Sequence, residues 1–290
     1  ILNRSGNYPI FILILALYMK DAKSPFWAPY TQNISIKDKT KGILHVEYNG
    51  GEADVILENT IAIMLYGSIP PLEEELLLLT SKYNVPIVMH NRNVTRCIYI
   101  HSGLKRSNVD TLTNQILCRE DLRKCKYIAR TILEAKFKGM NPMVGLDTPP
   151  LQATLSIKNL RNIEAVYSKV FWKRYYSALG HPDYFRRSKN DISAALDACS
   201  KFLSGIILRW VDYHNLSPFH GFLHEQTSYP ALVYDLIEPY RYILAQAILN
   251  AMQANAPMDK LLAISIDELK NLLHEEIYCP QTRQYVRRQE

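Results

Sequence analysis

The hydrophobic period of this 290-residue chain changes once, near residue 113, and that switch limits the folds open to it. Over residues 31–103, short apolar runs alternate with turn signals. Residues 42–48 (GILHVEY) have strand composition and are followed by the turn signal Asn49-Gly50-Gly51. Residues 55–57 and 61–65 are apolar and separated by Glu58-Asn59-Thr60. Pro70-Pro71 is expected to open a helix over residues 72–83, with Glu73, Glu74 and Glu75 in the first turn, where the helix dipole favours anions. Residues 85–89 and 97–100 read as strands again.

Beyond residue 113 the period is helical. Leu117, Leu122, Ile128, Ile132 and Leu133 mark one helix ending near Gly139, and residues 141–150 read as a connector. Leu160, Ile163, Tyr167, Val170 and Phe171 stripe a second helix. Further helices are expected over residues 191–213, 230–254 and 266–277. The expected architecture is α+β: an unassigned segment 1–30, a β-rich domain 31–108 and an all-helical domain 109–290.

Hydrophobic residues at 48% with charged residues at 21% exclude a disordered chain. The apolar run over residues 10–19 (IFILILALYM) is too short for a bilayer, which needs about 20 residues, so a buried strand or helix is expected and no membrane partner. The first residue is Ile1, which suggests a piece of a longer polypeptide. Cys97, Cys118, Cys125, Cys199 and Cys279 are odd in number and form no C-x-x-C, so reduced thiols and a cytoplasmic location are expected.

The overall net charge of +6 is too small to name a partner, but it is unevenly spread. Residues 1–112 hold 11 basic and 10 acidic groups (+1), residues 113–189 hold 15 and 6 (+9), and residues 190–290 hold 8 and 12 (−4). A basic track beside an acidic centre suits a phosphate-binding surface around a metal; solvated helix faces would give the same count.

Two places can carry chemistry. In residues 220–241 (HGFLHEQTSYPALVYDLIEPYR), Gly221 permits a tight turn before His224, and Thr227 or Ser228 can cap a helix whose first turn holds Pro230. Asp235 and Glu238, three apart, share a helical face. Pro239 lacks an N–H, so the helix should bend there and leave the Asp235 carbonyl free. Carboxylates on an apolar helix need cations or donors, and His224 reaches them if the chain folds back. Oxygen ligands with one imidazole suit Mg²⁺ or Mn²⁺; a surface Asp and Glu with a capping His is the plainer alternative. The second place is Glu164, bordering the stripe of its helix, with Arg161 the expected partner in an ordinary salt bridge. Nucleotide-binding glycine loops and a G-x-S-x-G elbow are absent from the sequence.

These segments resemble the CRISPR-associated protein one family, the integrase and endonuclease of spacer acquisition. Gly221-Phe222-Leu223-His224, then residues 231–238 (ALVYDLIE) and Arg241, resemble its G-x-L-H loop and acidic helix. Arg161-Asn162-Ile163-Glu164-Ala165 with Tyr167 resembles its glutamate helix, and Ala129-Arg130 with Ala135-Lys136 its R-x-x-x-x-x-K helix. The segments 54–67 and 76–91 resemble its strand–helix–strand unit. The likeness spans roughly residues 34–250. The chain departs from the pattern in lacking a double proline in residues 185–191, in Ala194 where Asn is usual, and in having no Asn-Gln after Lys136.

The resemblance implies a dimerising β-domain, with a homodimer interface near residues 61–103, and a helical catalytic domain. It implies Glu164, His224 and Glu238 as ligands of Mg²⁺ or Mn²⁺, with Asp235 as a further acidic group that orients a ligand. The implied reaction is attack of a DNA 3′-OH on a phosphodiester of the CRISPR repeat. The implied partners are double-stranded DNA (protospacer and repeat), the small CRISPR-associated protein two as bridging adaptor, and, in some members, a fused reverse transcriptase or nuclease. Lys158, Arg161, Lys173, Arg174, Arg186 and Arg187 are candidate phosphate contacts. A stand-alone metal-dependent nuclease on branched DNA and a non-catalytic DNA-binding scaffold are the alternative readings.

Overall fold

The computed structural model describes residues 23–90, 98–100, 110–225, 228–274, 276–279 and 284–287. The apolar run 10–19 therefore lies outside the described residues, as do Thr227 and most of the segment 91–109. The N-terminal part is built from strands β1 (Ser24–Pro29), β2 (Asn33–Asp38), β3 (Ile43–Tyr48), β4 (Gly51–Ile56), β5 (Thr60–Tyr66), β6 (Ile87–His90) and β7 (Ile98–Ile100), with helix α1 (Glu74–Lys82) between β5 and β6. Strands β2, β3 and β4 form an antiparallel meander turned at Asn49-Gly50. The other sheet has the order β1-β5-β6-β7: β1, β5 and β6 run parallel, and β7 is antiparallel to β6.

Every residue of β5 is buried, as expected of a central parallel strand covered on both faces. From Ala62 onward its side chains sort by period 2. Ile63 and Leu65, with Ala28 and Ile87, pack against Leu44, Val46 and Val55 of the meander and Leu76 and Leu79 of α1. Ala62, Met64 and Tyr66, with Trp27 and Val88, join the core of the helical region instead. Sheet and helices thus share one hydrophobic core across residues 109/110.

The helices are α2 (Asp110–Glu120), α3 (Leu122–Val144), α4 (Ile157–Ala178), α5 (Asp191–Tyr213), α6 (Ala231–Ile237), α7 (Arg241–Gln253) and α8 (Leu261–His274). α5 lies against β5 and β6 on one side and against α6, α7 and α8 on the others. Gly205 permits that approach: a Cβ there would sit 2.5 Å from Met64 Sδ and 2.8 Å from Val88 Cγ2.

The α+β expectation holds, and several boundaries move. The segment 1–30, left unassigned, contributes β1, which finds its partner β5 far along the chain. α1 begins at Glu74, two residues later than expected, with Glu73 extended as its N-cap. The helix expected to end near Gly139 is two: Asp121 accepts from the backbone N–H groups of Arg123 (3.0 Å) and Lys124 (3.4 Å) and so starts α3, which runs on through Pro142 to the left-handed cap Gly145. The last helix lies earlier than expected. A hairpin of β8 (Glu276–Cys279) and β9 (Gln284–Arg287) follows it, so the C-terminal region is not all-helical.

Candidate active site

Asp235 organises the first half of the site. It lies on the short helix α6, fully buried, and the loop 221–224 folds back onto its carboxylate. Oδ2 accepts from the backbone N–H groups of Phe222 (2.5 Å) and Leu223 (3.0 Å). Oδ1 accepts from the His224 N–H (3.0 Å) and faces the His224 ring Nδ1 at 2.7 Å. The turn needs glycine at 221, since a Cβ there would lie 2.6 Å from the His224 carbonyl oxygen and 2.8 Å from Asp235 Oδ2. With Nδ1 donating to the carboxylate, His224 presents Nε2 as an acceptor, the tautomer a metal-binding imidazole requires.

Helix α2 braces the same loop from outside. Gln115 donates to the carbonyls of Ser217 (2.9 Å) and His220 (2.8 Å) and accepts from the Ser217 N–H (2.8 Å). Arg119 donates to the carbonyls of Gly221 (3.1 Å) and Glu225 (2.6 Å). Both residues carried no signal in the sequence, because their partners lie about a hundred positions away.

The second half is a carboxylate pair from two helices. Glu238 is 4% exposed, at the junction of α6 and α7, and Glu164 projects from α4. Both face the ammonium of Lys136 on α3, itself 3% exposed. Lys136 Nζ lies 2.6 Å from Glu238 Oε2, pairs with Glu164 Oε1 and donates to Ser168 Oγ at 3.2 Å; that hydroxyl donates to Glu164 Oε1 at 2.7 Å. Arg241 closes the other side of Glu238 through Nη2 (2.9 Å) and Nε (3.2 Å). Burial pushes the Glu238 carboxyl up, but the Arg241 guanidinium and the Lys136 ammonium outweigh it and hold the group well below the usual carboxylate range.

Three local expectations are corrected. Glu164 pairs with Lys136 rather than Arg161, which lies 3.9 Å from Glu225 instead. Pro239 does end α6, but the chain continues as a 3₁₀ turn, and the Glu238 N–H takes the Asp235 carbonyl, so that carbonyl is not freed. Pro230 is the N-cap residue of α6 and no side chain caps it, so Ser228 does not play that part.

Among the candidate phosphate contacts, Lys158, Lys173 and Arg187 are exposed. Arg174 donates to the carbonyls of Val144 (3.3 Å) and Gly145 (2.7 Å), tying down the end of α3. Arg186 pairs with Asp197 at 2.6 Å and lies over the Trp172 ring. Lys169, Lys173 and Arg174 line one groove of about 780 Å³. Arg123 and Lys126, which were not among the candidate contacts, line another of about 300 Å³ with Arg130 and Tyr127.

The donor set suits a hard divalent cation. Two carboxylates from different elements converge on one cationic centre, and Glu238 Oε2 is buried against it. Among the described residues, however, no three His, Cys, Asp or Glu side chains converge closely enough to hold a metal. Nor is any described helix long and apolar enough to cross a membrane.

A family model described as CRISPR associated protein Cas1 matches residues 31–145 and 147–262, and the chain belongs to that family. The CRISPR-associated endonuclease Cas1 2 of Pyrobaculum aerophilum is 24% identical over 112 residues, which span 38% of this chain and 35% of that protein. The match therefore covers about a third of that relative's length. Among solved structures, a casposase bound to integration product aligns with TM-score 0.76 at 18% identity, over 92% of this chain and 86% of that one. A Cas6-RT-Cas1–Cas2 complex aligns with TM-score 0.67 at 13% identity, over 90% of this chain and 33% of that one. At these identities the structural likeness speaks for the fold.

Proposed function

We propose that this chain is a metal-dependent DNA integrase and endonuclease of CRISPR adaptation. It would insert new spacer DNA by attack of a 3′-OH on a repeat phosphodiester. The observation that carries the proposal is the convergence of buried Glu238 and half-buried Glu164 on one cationic centre, together with an imidazole, His224, whose Nδ1 is held by buried Asp235 three residues before Glu238. Family membership and the likeness to a CRISPR-associated endonuclease and to a casposase bound to integration product support it. A Mg²⁺ or Mn²⁺ ion held by Glu164, His224 and Glu238 would acidify the attacking hydroxyl and offset charge on the phosphate and the leaving oxygen.

The chain's own residues do the rest. Asp235 holds the His224 ring so that Nε2 keeps its lone pair. Arg241 orients Glu238 through two hydrogen bonds. Lys158, Lys173 and Arg187 offer exposed charge to the DNA backbone, which positions the duplex without reading bases. In the reaction a new bond forms between phosphorus and the incoming 3′ oxygen. The bond to the repeat's 3′ oxygen breaks, and that oxygen takes up a proton. The proposed assembly is a homodimer through the β-rich segment, bridged by the small Cas2 adaptor, with a fused reverse transcriptase as a further neighbour; the likeness to a Cas6-RT-Cas1–Cas2 complex supports the adaptor and the fusion.

The test is an integration assay with labelled DNA ending in a 3′-OH, a repeat-containing plasmid and Mn²⁺. Joined product is expected, and it should be lost in Glu164→Ala and His224→Ala. Full joining by either variant would remove this site from the reaction. Cleaved but never joined DNA would favour the stand-alone nuclease, and metal-independent binding without product the scaffold.

A further inference from the structure

The charges around Lys136 already balance without any metal. Glu164 and Glu238 carry two negative charges, and Lys136 and Arg241 carry two positive ones. Asp235 is occupied separately by the 221–224 loop and His224. An ammonium is rarely buried this deeply unless acceptors surround it. Lys136 has three: one oxygen of Glu164, one of Glu238 and Ser168 Oγ. They come from two elements, α4 and the 3₁₀ turn after α6, and Lys136 reaches them from a third, α3.

A divalent ion held by the Glu164 and Glu238 oxygens that face Lys136 would compete with its ammonium for them. Adding it beside the ammonium would also leave the buried cluster two charges in excess. We infer that Lys136 is the built-in cation of the metal-free site, and that Lys136 and a divalent metal exclude one another between Glu164 and Glu238. The inference rests on the metal-binding reading of this site. It also accounts for the carboxylates converging while no three-ligand cluster forms.

Withdrawal of Lys136 is then a required step in loading. Ser168 resists that motion, because its hydroxyl accepts from Nζ while donating to Glu164. The competition has a thermodynamic signature independent of catalysis. Removing the ammonium leaves the Glu164 and Glu238 carboxylates against one guanidinium, which weakens the metal-free protein and strengthens its hold on the metal.

The experiment measures Mn²⁺ binding to the whole chain by electron paramagnetic resonance of free Mn²⁺, together with urea unfolding with and without Mn²⁺. The proteins are wild type, Lys136→Met, Ser168→Ala and Glu164→Gln. Lys136→Met should bind Mn²⁺ on the order of tenfold more tightly, consistent with loss of a buried competing ion pair, and should gain more stability from the metal than wild type does. Ser168→Ala, which keeps the ammonium but loosens it, should bind roughly threefold more tightly, the scale of one neutral hydrogen bond. Glu164→Gln should bind more weakly than wild type. Should Lys136→Met fold only with Mn²⁺ present, the inference is supported, and Ser168→Ala still reports affinity in a folded protein. Wild-type or weaker Mn²⁺ affinity in both Lys136→Met and Ser168→Ala overturns the exclusion while leaving the metal site standing. Absence of Mn²⁺ binding by every protein overturns the metal reading, and the inference with it.

Discussion

Replacing Asp235 with Asn changes one atom and should disable the site through its hydrogen bonds. The carboxylate accepts three backbone N–H groups and faces the His224 ring, with no exposed surface. An amide has only one acceptor oxygen. Turned to serve Phe222 and Leu223, it aims its NH₂ at the His224 N–H and at Nδ1. The backbone N–H is then unpaired in the interior, at a cost of about 1–3 kcal/mol. The two retained bonds lose their charge assistance, about 1 kcal/mol each. Relief from burying a carboxylate offsets part of this, leaving a net destabilisation of about 2–4 kcal/mol. The ring can keep a bond only by accepting at Nδ1, which places its hydrogen on Nε2 and removes the metal-binding lone pair. Urea denaturation gives the stability change, and ¹⁵N-resolved NMR of the imidazole reads the tautomer. Less than about 1 kcal/mol of destabilisation with the hydrogen still on Nδ1 would refute the claim that Asp235 governs the tautomer.

Gly221→Ala should cost about 1–3 kcal/mol and lower joining activity, because its Cβ would meet the backbone at His224 and Ala231; unchanged denaturation and activity would contradict that packing. Gly205→Ala should destabilise by a similar ~1–3 kcal/mol, through Met64 and Val88, and should do so in one transition for sheet and helices, since they share a core; separate transitions by fluorescence and circular dichroism would contradict it. Burial, with the nearby Lys201 ammonium, pushes the His90 imidazole down from 6.5 to about 4. Below 6.5 the unfolded chain takes a proton that the folded chain refuses, so stability should hold above pH 6.5 and fall between about 6.5 and 4; His90→Phe should flatten that decline in pH-dependent unfolding.

Much of the site was legible because its signals are local. Gly221, His224, Asp235 and Glu238 fall within one short segment, where turn chemistry and helical spacing apply directly, and Pro239 marks the kink by lacking an N–H. Glu164 stood out as a carboxylate on an apolar stripe. Lys136 stood out only as part of the family resemblance, and Ser168, Gln115 and Arg119 did not stand out at all, since a polar side chain on a helix reads as solvated until its partner is known. β1 was missed for a related reason: parallel pairing with β5 leaves no turn between the two strands to read.

The amino-acid sequence by itself determined the order of elements, strands first and helices after, together with the turn at Gly221 and the break at Pro239. These follow from periodicity and backbone chemistry within a few residues. Tertiary structure alone decided that both parts share one core. It alone decided that Glu164 and Glu238 meet across different helices, and that the cation between them is Lys136. Burial and Coulomb pairing depend on what the fold places nearby, and the partners of Lys136 lie 28 and 102 positions along the chain.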